Sequence, residues 1–412
     1  MATPMAPNER NILLLTGVGH FTTHFFELMF PTLAVAVARQ QHVPLDEVLT
    51  WSFLAYLAFG LGALPAGFVG DRIGARGPLL VALFGLGVAA LAASEVSSPR
   101  ALIICLAVMG ALASAYHPLG LSLIARATDA GGHALALHRV FGNAAIALTP
   151  IVTAGLCARF GWQDAYRLVG YAMCTLAVGC AFLPVTEPPP RPAPPIDRPT
   201  PIAWRPLAVL LLAATLAGIS YRGNTLVQPG YFAEHVSEVW FGAAVSLAYL
   251  LGLGGQYVGR WLAERHDHRR LYLLFHACSL PPLVLMTLLG GLPLVASAAV
   301  FVFFNLGLQP IEHDLVARYA PPHRRAAIQS LKFTCTFGVG ALAVWLVRWA
   351  GGLGGLSYAI LGLAGVVLLV IAAAAVLLSM DDQPAAARAP RALADVRAPS
   401  GPRPRPDTPA VP

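Results

Sequence analysis

The chain has 412 residues, 57% of them hydrophobic and only 11% charged, with a mean hydropathy of +0.67. An ordinary soluble domain carries about 25% charged residues, and 20 acids with 27 bases are too few to cover a water-facing surface of this size. That excludes a cytosolic enzyme, and the net charge of +7 is expected in the loops of a polytopic membrane protein rather than at a nucleic-acid site.

Apolar runs of about 20 residues predict twelve spans, at 11–38, 48–70, 78–94, 101–125, 136–158, 165–184, 206–231, 240–262, 271–289, 293–319, 326–349 and 355–379. The first run is too long for a removable signal peptide and carries His20, His24 and Glu27 inside it. A proline-rich stretch at 185–205 divides the spans six and six and cannot be helical throughout. Residues 380–412, rich in Ala, Pro and Arg, predict a disordered tail. The expected organisation is an N-terminal six-helix bundle (1–184), a cytoplasmic linker (185–205), a C-terminal six-helix bundle (206–379) and a cytoplasmic tail (380–412). With the N-terminus inside, 21 basic residues fall on the cytoplasmic side and five on the other, so both termini are expected in the cytoplasm. The six cysteines lie in apolar stretches without paired spacing, as small hydrophobes rather than as a disulfide framework or a zinc site.

Ionisable groups inside spans are costly, about 2.5–3.5 kcal/mol each at the bilayer centre, so their positions mark candidate function. In span 1, His20, His24 and Glu27 share an arc of about 60° on one helix face. That placement suits a proton relay; the plainer reading is helix-tying hydrogen bonds to backbone carbonyls. The same three groups suit a metal by type, but no further ligand motif accompanies them. His117 precedes Pro118 in span 4, and Gln309 precedes Pro310 in span 10; a kink beside each would put both on the walls of a cavity, or merely serve packing. Arg139 and Asn143 lie one turn apart in span 5. Arg222 is the one basic residue deep in span 7, near Asn224 and Gln228. Glu312, His313 and Asp314 close the polar stretch of span 10, and Lys332 enters span 11. These basic groups suit a negatively charged substrate; alternatively Arg139 and Lys332 pair with Glu312 and Asp314, and Glu27 pairs with Arg222. Spans 3, 6, 9 and 12 carry few ionisable groups in their interiors and are expected on the lipid side.

The halves also echo each other. Residues 116–126 (Tyr-His-Pro-Leu-Gly-Leu-Ser-Leu-Ile-Ala-Arg) and 308–318 (Leu-Gln-Pro-Ile-Glu-His-Asp-Leu-Val-Ala-Arg) share Pro, Leu, Ala and Arg in register at an offset of 192. Asp71 to Arg76 is echoed at an offset of 193 by Glu264 to Arg269, and Phe141 by Phe333 at 192. A near-constant offset argues for two parallel six-helix repeats with a substrate site between them.

The segment Gly67-Phe68-Val69-Gly70-Asp71-Arg72-Ile73-Gly74-Ala75-Arg76 resembles the loop between helices 2 and 3 of major facilitator superfamily transporters. His20 and His24 with Pro31, and Ala115-Tyr116-His117-Pro118 with Arg126, resemble the fosmidomycin-resistance branch. The resemblance implies an all-α fold of twelve transmembrane helices in two six-helix repeats. It also implies an inner gate at Gly70, Asp71, Arg72, Gly74 and Arg76, echoed at Glu264 and Arg265. The expected protein is not an enzyme. It is a secondary-active transporter of the bacterial inner membrane, working by alternating access, with proton-coupled efflux of a small organic compound or drug. The alternatives are a proton-coupled importer of a small organic anion and a transporter-like sensor or scaffold. Proton coupling is assigned to His20, His24 and Glu27, and substrate binding to His117, Arg139, Asn143, Arg222, Asn224, Gln228, Gln309 and Glu312. Expected partners are a small-molecule substrate, protons and the lipid bilayer, without nucleic acid, metal or cofactor, for a monomer. Nothing resembles a nucleotide-binding loop.

Overall fold

In hydrocarbon a backbone N–H or C=O finds no water, so a spanning segment must satisfy its hydrogen bonds internally. The computed structural model describes residues 5–127, 131–187, 202–321 and 324–381, and among these the regular elements are helices without a strand. The expected tail from 382 onward and linker residues 188–201 lie outside the described residues.

The elements are α1 (Pro7–Gln41), α2 (Leu45–Thr50), α3 (Phe53–Ile73), α4 (Arg76–Glu95), α5 (Pro99–Ala113), α6 (Tyr116–Ala127), α7 (Gly131–Phe160) and α8 (Trp162–Ala181). After the linker come α9 (Trp204–His235), α10 (Phe241–Gly252), α11 (Gly254–Ala263), α12 (His268–Leu285), α13 (Gly291–Tyr319), α14 (Arg325–Phe333), α15 (Ala343–Gly354) and α16 (Leu356–Ser379). Among the described residues, eleven helical stretches are long and apolar enough to cross a membrane. The expected sixth span is α8, whose first two turns carry Gln163, Asp164 and Arg167 and are less apolar than the rest. The fold is therefore that of an all-helical polytopic membrane protein. The break between α5 and α6 falls at Ser114, the residue whose carbonyl Pro118 would crowd and leave without its N–H partner.

Lipid-side packing follows the distribution of charge. α4 packs on α8 and α12 on α16, and these helices leave Val81, Phe84, Val178, Leu274 and Leu369 exposed. Contacts that join the residues before the linker to those after it include α1 with α9, α7 with α10, α2 with α15, and α3 with α14 and the segment between α14 and α15. That last segment is a π turn (Thr334–Gly338) followed by a 3-10 turn (Val339–Leu342). It crosses α3 so closely that a Cβ on Gly60 would lie 2.1 Å from the Gly338 nitrogen. At one end of the molecule Arg39 pairs with Glu238 at 2.7 Å, and Arg348 pairs with Asp46 and lies 3.4 Å from Glu47, so both ties cross between the halves. At the other end, none of the pairs of Arg126 with Asp71 and Glu187, or of Arg260 with Glu264 and Asp314, crosses from one half to the other.

Candidate functional site

The centre of the site is an ion pair between the first helices of the two halves. Glu27 of α1 is 8% exposed and Arg222 of α9 is 1% exposed. Glu27 Oε1 lies 2.6 Å from Arg222 Nη2, an ionic contact whose angles depart from those of a hydrogen bond. Isolated charges at this depth would be costly; together they neutralise each other. The guanidinium lies over the ring of Tyr56 with Cζ 3.9 Å from its centroid, and the Tyr56 hydroxyl donates to the Glu27 carbonyl at 3.3 Å. Nε and Nη1 of Arg222 have no hydrogen-bond partner among the described residues. α9 is continuous through Gly223, so Arg222 reaches Glu27 from its own side of the helix without local unwinding.

The other carboxylate oxygen, Glu27 Oε2, lies 2.6 Å from His24 Nδ1. From there imidazoles continue: the His24 ring centroid is 4.9 Å from that of His20 and 5.6 Å from that of His117. His20 stacks on His138 at 4.5 Å, and its Nδ1 lies 3.2 Å from the His138 carbonyl, a partner that only an N–H can serve. His138 Nε2 lies 2.5 Å from the Tyr116 hydroxyl. α7 admits the His20 ring because position 142 is glycine; a Cβ there would lie 2.5 Å from His20 Cε1. A cavity of about 40 Å³ adjoins Glu27 and is walled mostly by Phe26, Phe30, Tyr56, Phe59 and Met109.

On the neighbouring face of α9, roughly 110° round the helix from Arg222, Asn224 and Gln228 line a second pocket with Tyr221, Tyr249 and Asn305, and Gln228 Nε2 donates to Asn224 Oδ1 at 2.7 Å. Asn143 is joined to Gln309 through Gln256, which accepts from Asn143 at 3.0 Å and donates to Gln309 at 3.1 Å. His117 is half-buried among His20, His24, Phe59 and Phe333, whereas Gln309 is exposed and held by the amide bridge. Glu312 pairs with Lys332 at 2.5 Å. Asp314 goes to Arg260 and His268, at 3.4 and 3.3 Å, rather than to Arg139, which is exposed.

The expected gate residues divide. Gly74 has φ +87°, and a Cβ there would also lie 2.9 Å from a Glu187 carboxylate oxygen. That carboxylate accepts from the backbone N–H groups of Ala75 and Arg76, at 2.9 to 3.2 Å, and pairs with Arg126 at 3.0 Å. A Cβ on Gly70 would meet Leu119 Cδ2 at 2.3 Å, so glycine sets the approach of α3 to α6. Arg72 is exposed, and Asp71, with its side chain 77% exposed, stands 3.7 Å from Arg126. Arg76 donates to the carbonyls of Ala181 and Leu183 at the end of α8; Arg269 repeats this with Leu377 and Met380 at the end of α16. Glu264, the echo of Asp71, pairs with Arg260 at 3.0 Å and lies 3.7 Å from Arg265.

Tyr56, Tyr116, His138, Gln256 and Glu187 were not among the expected site residues. His138 had a visible signal, an imidazole beside Arg139 in span 5, and Tyr116 stood in the segment repeated at 308–318. Gln256 and Glu187 had none beyond being polar.

A family model described as "Major Facilitator Superfamily" matches residues 16–344 and 210–408. No curated protein matches the chain significantly in sequence. Similar solved structures include a bacterial homolog of the human lysosomal transporter Spinster in an inward-facing, unoccupied conformation, at 13% identity and a TM-score of 0.72, covering 91% of this chain and 96% of that one. The nucleoside transporter NupG is similar at 12% identity and a TM-score of 0.73, covering 90% of this chain and 100% of its own. A POT family transporter in complex with 5-aminolevulinic acid is similar at 13% identity and a TM-score of 0.75, covering 90% and 95%.

Proposed function

This chain belongs to the Major Facilitator Superfamily and is a membrane transporter rather than an enzyme; from that premise we propose that it couples the movement of a small organic anion to protons through Glu27 and Arg222. It works by alternating access between two six-helix halves, 1–184 and 206–379, as a monomer in the bacterial inner membrane. The distribution of basic residues supports cytoplasmic termini.

One observation carries the reading: the 2.6 Å contact between Glu27 and Arg222, which crosses between the halves. While Glu27 is ionised it satisfies Arg222. A proton on Glu27 leaves the buried guanidinium in need of another anion, and an anion on Arg222 in turn favours the protonated carboxyl. Proton and anion thus bind together, which supports cotransport over exchange. With an inward proton gradient that favours import, the second of the expectations drawn from the sequence, over efflux. His24 is the first group able to exchange a proton with Glu27, with His20 and His138 beyond it.

Proteoliposomes loaded with a pH-sensitive dye and offered small carboxylates test this. Substrate entry should acidify the lumen, and Glu27→Gln should abolish gradient-driven accumulation while preserving counterflow exchange. Alkalinisation on entry would support exchange instead, gradient-driven uptake at the wild-type rate in Glu27→Gln would remove Glu27 from coupling, and binding without flux would favour a sensor.

A further inference from the structure

The second pocket has a chemistry unlike that of the ion pair beside it. Its lining from α9, α10 and α13 is polar but without a charged group: Tyr221, Asn224, Thr225, Gln228, Tyr249 and Asn305 stand over a floor of Phe301, Val302 and Leu306. Asn224, Gln228 and Tyr249 are 3%, 1% and 3% exposed, yet Asn224 Nδ2, Gln228 Oε1 and the Tyr249 hydroxyl have no hydrogen-bond partner among the described residues. Buried polar atoms are normally paired, and each one left unpaired costs about 1–3 kcal/mol. Three in one pocket indicate a missing group.

The shape and the donor count define that group. The bond from Gln228 to Asn224 leaves an N–H on one amide and a C=O on the other, and exchanging the roles of the two amides leaves the same pair. The guest must therefore accept and donate at once. A charged guest would find no counter-charge in the lining. The cavity measures about 10 Å³, the room of a single water or hydroxyl rather than of an amide. Tyr221 and Asn305 are half-buried, so the pocket opens past them, and Tyr221 is the chain neighbour of Arg222.

We propose that this pocket is a hydroxyl-recognition subsite of the transport site, so that the substrate is a hydroxylated organic acid whose carboxylate meets Arg222 and one of whose hydroxyls enters between Asn224, Gln228 and Tyr249. This rests on the reading of Arg222 as the anion site, but the pocket has its own observations and its own failure. A site built around buried hydrogen-bonding groups rejects an analogue that lacks the hydroxyl far more strongly than an apolar pocket rejects an extra one.

The test is equilibrium binding of gluconate, hexanoate and glucitol to the purified full chain in nanodiscs. Gluconate should bind at least about tenfold more tightly than hexanoate, and Tyr249→Phe, which removes only the hydroxyl, should reduce that ratio by about tenfold. A loss of packing alone would weaken both acids together and leave the ratio unmoved, which would overturn the subsite. Equal binding of gluconate and hexanoate by the wild type would also overturn it, leaving a structural water only, while the anion reading of Arg222 would stand. Glucitol binding more tightly than gluconate would support the subsite and remove the anion reading. Binding of neither gluconate nor glucitol overturns the subsite.

Discussion

Arg222 and Glu27 illustrate how little a buried charge tolerates. Each is destabilising alone in a low-dielectric interior, and deleting one partner of a buried pair leaves the other uncompensated at a cost of about 3–5 kcal/mol, whereas replacing both is often neutral. Arg222→Gln should therefore lower the melting temperature strongly, and Arg222→Gln combined with Glu27→Gln should recover most of the loss. Arg222→Lys should fall between them, because an ammonium keeps the charge but not the planar stacking on Tyr56. Melting curves of the three variants decide it; a double mutant as unstable as Arg222→Gln would mean that Glu27 is not the partner that matters.

Between elements, the loop from α3 to α4 is held less by Asp71 than by Glu187. A carboxylate at a helix N-terminus that accepts backbone N–H groups is worth about 1–2 kcal/mol, and Glu187 adds a 3.0 Å pair with Arg126. Asp71 is largely exposed and 3.7 Å from the same arginine, a geometry worth well under about 1 kcal/mol. Glu187→Gln should thus lower the melting temperature by several degrees and Asp71→Asn by almost nothing. The reverse order would return the latch to Asp71. The linker, expected only to connect two bundles, begins with residues that tie it to the N-terminal half: Glu187 holds this loop, and Thr186 exchanges two hydrogen bonds with Asn8 of α1, at 2.8 and 2.9 Å.

For the molecule as a whole, the ties of Arg39 to Glu238 and of Arg348 to Asp46 and Glu47 close the halves together at one end. Alternating access requires that they part. The Arg39–Glu238 pair is exposed and the Arg348–Asp46 pair half-buried; at about 0–1 kcal/mol each, removing both with Arg39→Gln and Arg348→Gln should shift the population toward opening there by up to about thirtyfold. A cysteine introduced at Leu45, which packs on Gly230 across that seam, should then react several-fold faster with a membrane-impermeant maleimide, in a background where the six native cysteines are serine. Unchanged labelling would mean that apolar packing, not charge, holds this end.

The amino-acid sequence by itself determined the spans, the repeat and the glycine-rich turn, because each depends on local physics. A bilayer demands about 20 apolar residues per crossing and a backbone that satisfies itself. Helical periodicity likewise placed His20, His24 and Glu27 on one face of α1, and Asn224 one turn from Gln228 on α9. What periodicity does not carry is the rotation and height of one helix against the next, and those decide which polar groups meet. Only the tertiary structure paired Glu27 with Arg222 rather than leaving the arginine open, sent Lys332 to Glu312 and Asp314 to Arg260, and brought His138 onto His20. It also set Gln256 between Asn143 and Gln309, and turned Glu187 from a linker residue into the cap of α4. These contacts join different elements, most of them far apart in sequence, and the charged and hydrogen-bonded ones answer the cost of leaving such groups unpaired in a medium without water, a cost that exists only once the helices are packed.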